Sequence, residues 1–233
     1  MKVAIMQPYL FPYIGYFQLI SAVDKFIIYD NIKFTKKGWI NRNRILVNGK
    51  DDYITIPLKK DSDFLNVDQR VLADNFEEEK IKLLRRIKDS YQKATYFMEI
   101  YPLIEGIINN EEKNLFGFIY NSVSEICKYL SIKTEFIISS KLEIDHELKS
   151  ENKVIELCKA VKAISYLNPI GGVELYSKDK FLSNNIQLNF VKSDLIEYPQ
   201  FKNEFIPWLS IIDVMMFNSI KEIKRMLNAY ILE

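Results

Sequence analysis

The chain has 233 residues, 48% of them hydrophobic, and a formal net charge of +1. That length and apolar content suit one domain with a sizeable core. The near-zero charge, with lysines and arginines spread along the chain, gives no general pull toward DNA or an acidic membrane surface.

"KVAIMQ" (2–7) is a short apolar run suited to a buried strand, and Pro8 ends it. A helix is predicted over about 12–23, with Pro12 at its first turn, where a missing N–H does no harm. "KFIIYD" (25–30) reads as a second buried strand, so the opening is a tight βαβ unit with parallel strands. In "RILVNGKDDYITIPL" (44–58), Asn48-Gly49 between two apolar runs predicts an antiparallel hairpin. Residues 75–131 are predicted helical. One helix begins near Asn75, a second runs from about Thr95 to Ile108, and a third starts near Asn110 or Glu111. Acidic residues in the first turns of the first and third suit the helix dipole.

Strand and helix then alternate. "TEFIIS" (134–139) is a strand, and 150–162 a helix with Ser150 as its cap. "AISYLN" (163–168) is a strand, 177–185 a short Ser-capped helix, and "IQLNFVK" (186–192) a last strand. The tail after Pro207 reads as one or two helices. The expected fold class is therefore α/β: a Rossmann-like three-layer parallel sheet of five strands, with a β-hairpin and a helical insertion over about 75–131, in a single domain. Ligands of such sheets bind beyond the strands' carboxyl ends, here 7–12, 30–36, 139–141 and 168–172.

Cys127 and Cys158 fall on apolar helix stripes and read as core thiols of a reducing compartment. His146 is the only histidine and lies in a polar stretch, where a solvated role is expected, so no metal site is foreseen. Gln7, Pro8 and Pro12 break the first apolar run, which does not make a secretion signal. No stretch approaches the ~20 apolar residues that cross a bilayer. The expectation is a cytoplasmic protein without membrane insertion.

Four stretches hold candidate site residues. The first is the aromatic and proline-rich segment after the first strand, with Gln7, Pro8, Tyr13, Gly15 and Tyr16. The second, "DNIKFTKKGWINRNR" (30–44), offers Asp30, Lys36, Trp39, Asn41, Arg42 and Asn43: acid, base, a stacking surface and amides. Arg42 suits bidentate pairing with phosphate or carboxylate. The third, "YLNPIGGVELY" (166–176), has Tyr166, Asn168 and Tyr176 around Gly171-Gly172, whose N–H groups suit an anion nest. The fourth places Ser210 and Asp213 three apart on an otherwise apolar helix. For each, packing, capping or a plain turn is the alternative.

In position, Tyr13-Ile14-Gly15-Tyr16 resembles the His-x-Gly-His sequence of nucleotidylyltransferases and pantothenate synthetase. Tyrosine does not act as an imidazolium at neutral pH, so nucleotidyl transfer by that route is not expected. More specifically, "MQPYLFPYIGYFQLISAVDKFIIYDNIKFTKKGWINRNRI", "SYLNPIGGVELY" and "FIPWLSIIDVMMFN" resemble, in order, three signatures of WbqC-like proteins. That resemblance implies work on a nucleotide-linked sugar for bacterial O-antigen or other surface polysaccharide. The expected reaction joins an amino-acyl group such as glycyl, or an acyl group, to the amine of a nucleotide-linked amino sugar. The expected partners are that sugar and a small acyl or amino-acid donor, with Asp30 taking the attacking amine's proton or orienting the amine. If ATP is the energy source, Mg²⁺ is expected on its phosphates. The rivals are a carrier-dependent transferase using aminoacyl-tRNA or acyl-CoA, and a non-catalytic nucleotide-sugar-binding or scaffold protein.

Overall fold

The structure is a computed structural model that describes residues 1–202 and 204–233. Its centre is a six-stranded sheet of β1 (Lys2–Met6), β2 (Lys25–Ile28), β5 (Glu135–Ile138), β6 (Ser165–Pro169), β7 (Gln187–Ser193) and β8 (Tyr230–Leu232). The strand order is β5-β2-β1-β6-β7-β8. The first five strands are parallel, with Ala4 opposite Phe26 on one side and Leu167 on the other. β8 runs antiparallel to β7 at the edge. The Rossmann-like α/β expectation holds, and β8 is an addition to it.

Strands buried on both faces read as continuous apolar runs, and their alternate residues feed two cores. Ala4, Phe26 and Ile28 face a core with α1 (Ile14–Ser21), α2 (Phe76–Tyr91), α3 (Phe97–Ile108), α4 (Leu115–Leu130), α7 (Ile211–Phe217) and α8 (Ile220–Met226). Val3, Ile5, Ile27 and Tyr166 face the opposite core with α5 (Ser150–Ala160) and α6 (Lys178–Leu182). The helices of the insertion thus join the layer that covers one face of the sheet.

The separate hairpin pairs β3 (Arg42–Val47) with β4 (Lys50–Thr55). Asn48 and Gly49 both have positive φ, 50° and 76°, as a two-residue hairpin turn demands. Three local expectations are corrected. α4 begins at Leu115, where Asn114 caps it by accepting from the Gly117 N–H, and its first turn holds no acid. α5 is preceded by Lys149 without a side-chain cap, and Ser150 itself sits at φ 50°. The end of the tail is β8 rather than helix. Ser177 does cap α6.

From β1 the chain steps to β2 and β5 on one side, then returns to β6 and β7 on the other. The strand order therefore reverses between β1 and β6, which opens a crevice at their carboxyl ends.

Candidate functional site

The segment after β1 is a hinge clamped from several sides. Leu10 N–H donates to the carbonyls of Trp39 and Ile40. The Asn43 amide, 5% exposed, donates to the carbonyls of Leu10 and Phe11, both at 2.9 Å. Ser210 Oγ donates to the same Phe11 carbonyl at 2.8 Å and accepts from Ile212 N–H to cap α7. Phe11 has φ 40°, a left-handed conformation costly for a bulky side chain. Two buried side chains converging on its carbonyl hold it there. Pro8 is buried within this turn. Gly15 is required by Tyr13: a Cβ there would stand 2.3 Å from the Tyr13 ring. Tyr16 is 1% exposed and donates to the Gln7 carbonyl at 2.9 Å, so it packs α1 on the sheet and leaves the site to others.

At the reversal point lies a cleft of about 760 Å³. Gln7 and Tyr9 enter it after β1, and Tyr29, Asn31 and Lys33 after β2. Asn168, Gly171, Gly172 and Tyr176 enter after β6, and His146, Lys149, Ser150 and Lys153 from the start of α5. Gly171 has open space where a Cβ would stand, whereas a Cβ on Gly172 would meet Asn168 Nδ2 at 1.8 Å. Glycine at 172 is therefore what allows the Asn168 amide to sit in the cleft wall. Tyr166, 0% exposed, is beneath this wall, donates to Asn168 Oδ1 at 3.0 Å and stacks on Phe181.

Three lysines, Lys33, Lys149 and Lys153, line the cleft against one carboxylate, Glu147. α5 presents its N-terminal turn there with no side-chain cap, so the positive end of its dipole faces the opening. Lys153 is 4% exposed, donates to the His146 carbonyl at 2.9 Å and lies 5.0 Å over the Tyr29 ring. Burial lowers its pKa, against the pull of Glu147, Asp30 and Asp145. Burial also raises the Tyr176 pKa, so that group stays a neutral hydroxyl. Asn31 Nδ2 lies 2.9 Å from His146 Nδ1, and His146 Nε2 lies 3.0 Å from the Leu142 carbonyl. His146 thus belongs to the cleft, contrary to the solvated role expected of it.

Several expected site residues serve the frame. Asp30 is 2% exposed and accepts from Ser139 Oγ, Ser140 N–H and Ser140 Oγ, bracing the end of β2 against the turn after β5. Its carboxylate is not among the groups lining the cleft. Lys36 is exposed and pairs with Asp63. Arg42 donates to the carbonyls of Gly38 and Lys37 and covers the Tyr53 ring, which closes its own loop. Asn41 donates to the Ile56 carbonyl. Asp213, 0% exposed, accepts from Tyr91 (2.8 Å), Tyr198 (2.7 Å) and Gln200 (2.8 Å). Burial pushes its carboxyl above the usual range, and these three donors hold it partly back. Tyr13, Trp39 and Asn43 line a second hollow of about 270 Å³ with Tyr9, Pro12, Arg44 and Trp208.

Sequence reading missed Tyr9, Tyr29, Asn31, Lys33, His146, Lys149, Ser150 and Lys153. Tyr9, Asn31 and Lys33 stood inside stretches already singled out, and a ligand's reach past each strand end was the signal for them. His146 and Lys153 carried no local signal. Among the described residues, no three His, Cys, Asp or Glu side chains converge to hold a metal ion, and no helix is long and apolar enough to cross a membrane.

A five-stranded parallel core with its crevice at the reversal point makes this a Rossmann-like α/β protein with a cleft at the strands' carboxyl ends. The chain belongs to the WbqC-like protein family, whose family model matches residues 7–225. It is similar to the uncharacterized protein Rv1507c of Mycobacterium tuberculosis (strain ATCC 25618 / H37Rv), with 31% identity over 219 residues, 93% of each chain. No solved structure matches it.

Proposed function

We propose that the protein is an enzyme of bacterial surface-polysaccharide synthesis that binds a nucleotide-linked amino sugar in the reversal-point cleft. There it forms an amide between the sugar's amine and an amino-acyl or acyl group. The observation that supports this reading is the buried Lys153 beside the uncapped N-terminal turn of α5, inside a cleft of nucleotide size. Lys153, Lys33 and the first-turn N–H groups would hold the diphosphate. Tyr29, Tyr9 and Tyr176 supply flat apolar walls, and the Gln7, Asn31 and Asn168 amides suit ribose and base edges. Asp30 acts as a positioning residue, keeping the Ser139-Ser140 turn and Asn31 in place.

With ATP, the donor's carboxylate would displace pyrophosphate to give an acyl-adenylate. The sugar amine then attacks the acyl carbon, and AMP and a proton leave. Where ATP is used, Mg²⁺ would be held on its phosphates, since no acidic cluster among the described residues offers it a separate place.

One observation favours the non-catalytic rival. Both His146 nitrogens and both Asp30 oxygens are engaged within the protein, which leaves neither as a free general base. Incubation with a nucleotide-linked 4-amino sugar, glycine and ATP, followed by mass spectrometry, separates the readings. AMP with a glycyl-sugar supports the ligase. A product that forms only from a charged carrier makes the protein a transferase. Binding without turnover from any donor makes it a binding protein.

A further inference from the structure

Beside the cleft is the hollow of about 270 Å³, and Tyr9 lines both. Its walls include Trp39, Tyr13 and Trp208, and the rings of the last two meet edge to face at 5.8 Å. These are the chain's two tryptophans, and they stand 40% and 55% exposed, although large aromatic surface is favoured inside. Tyr53 stacks on Trp39 at 6.2 Å and Arg44 lies 5.6 Å over it, so Trp39 is fixed while part of its surface stays open. Trp208 is held at φ 62°, a conformation costly for a bulky residue. The next residues pin it there: Ser210 N–H donates to the Arg44 carbonyl at 2.8 Å. Arg44 pairs with Asp51 through Nη1, yet its Nε is buried with no hydrogen-bond partner among the described residues.

We infer that this hollow is the sugar subsite: it takes the pyranose ring of the nucleotide-linked sugar, with the diphosphate in the cleft on the other side of Tyr9. A pyranose has an apolar C–H face that suits the negative face of an indole. Its ring-edge hydroxyls would meet the Asn43 and Arg44 side chains that line the hollow. The volume admits one ring-sized group and not a nucleoside diphosphate. The inference rests on the nucleotide reading of the cleft for the placement of the diphosphate, but the recognition of the ring does not.

Because both tryptophans line the hollow, intrinsic fluorescence reports on it directly. Trp39→Phe and Trp208→Phe each leave one reporter. The probes are UDP- and dTDP-linked 4-amino-4,6-dideoxyglucose, UDP, dTDP and the methyl glycoside of the same sugar, with calorimetry run in parallel. The expected result is an emission change in both single-tryptophan variants with a nucleotide-sugar, and binding of the matching nucleotide without one. Trp39→Ala should weaken the nucleotide-sugar about two- to tenfold and leave the bare nucleotide unchanged. A methyl glycoside that changes emission while no nucleotide binds supports the sugar subsite and defeats the nucleotide reading of the cleft. The subsite is overturned by three results: UDP or dTDP changing the emission as much as the sugar-linked form, a nucleotide-sugar binding by calorimetry with silent tryptophans, or no response to any sugar probe.

Discussion

Asn43→Ala tests how the mouth of the site is built. The wild-type amide donates to two buried carbonyls at 2.9 Å and accepts from Arg44 N–H at 2.8 Å. Removing it leaves the Leu10 carbonyl without its side-chain donor, while Phe11 keeps Ser210. Three lost bonds at roughly 0.5–1 kcal/mol each, plus an unsatisfied buried acceptor, predict a loss of about 2–4 kcal/mol. For a chain of this length that corresponds to a fall in Tm of roughly 5–15 °C. Ser210→Ala loses one bond and a helix cap, about 1–2 kcal/mol. Because both side chains serve the Phe11 carbonyl, the double variant strips it bare. The loss of the double variant should therefore exceed the sum of the two single losses by about 1 kcal/mol. Urea unfolding followed by tryptophan fluorescence gives all three values. An Asn43→Ala loss below about 0.5 kcal/mol, or additivity within about 0.3 kcal/mol, refutes this account of the hinge.

Other substitutions separate frame from cleft. Gly172→Ala puts a Cβ against Asn168 Nδ2 and should cost about 1–3 kcal/mol and weaken nucleotide binding, measured by denaturation and calorimetry. Arg42→Ala should lower Tm by releasing the 37–38 carbonyls but leave nucleotide affinity within about twofold, since binding energy lost below ~0.5 kcal/mol is within that factor. Burial pushes the Cys127 and Cys158 thiols up to about 12, so at pH 8 neither is a thiolate in the folded chain. Their reaction with a disulfide reagent should follow unfolding; prompt labelling of the native protein would show them exposed. Burial lowers the Lys153 pKa, so the folded chain sheds that proton before the unfolded chain does as pH rises. Its cost to stability is present below its folded pKa and is relieved as pH climbs toward the ordinary lysine value. Lys153→Met should flatten that alkaline rise in stability, read from urea midpoints against pH.

The parallel strands were legible because each is apolar on both faces, and the hairpin because Asn48-Gly49 has one low-energy use. β8 was not, since three residues at an edge show no period. Within 30–44 the residue types suited a binding loop, but their direction was hidden. Residues 42, 43 and 44 alternate across β3, which sends Asn43 to the hinge and Arg42 back to its own loop. Ser210 and Asp213 looked like pocket groups because polar residues on an apolar helix need partners. Those partners are Phe11 and Tyr91, about two hundred and one hundred residues away in sequence. The close approach of the chain in "YLNPIGGVELY" was visible in its glycines, whereas His146 reaches Asn31 across 115 residues and no local pattern announces that.

The central claim is that the reversal-point cleft binds a nucleotide diphosphate through Lys153 and the start of α5. Calorimetric titration of wild-type and Lys153→Met protein with UDP, dTDP and their 4-amino-sugar conjugates tests it most directly. The account predicts saturable one-site binding to wild type, a loss of about 10- to 150-fold in the variant from one charge-assisted bond, and unimpaired folding of that variant. No heat of binding to a folded wild type, or equal affinity in the folded variant, contradicts it.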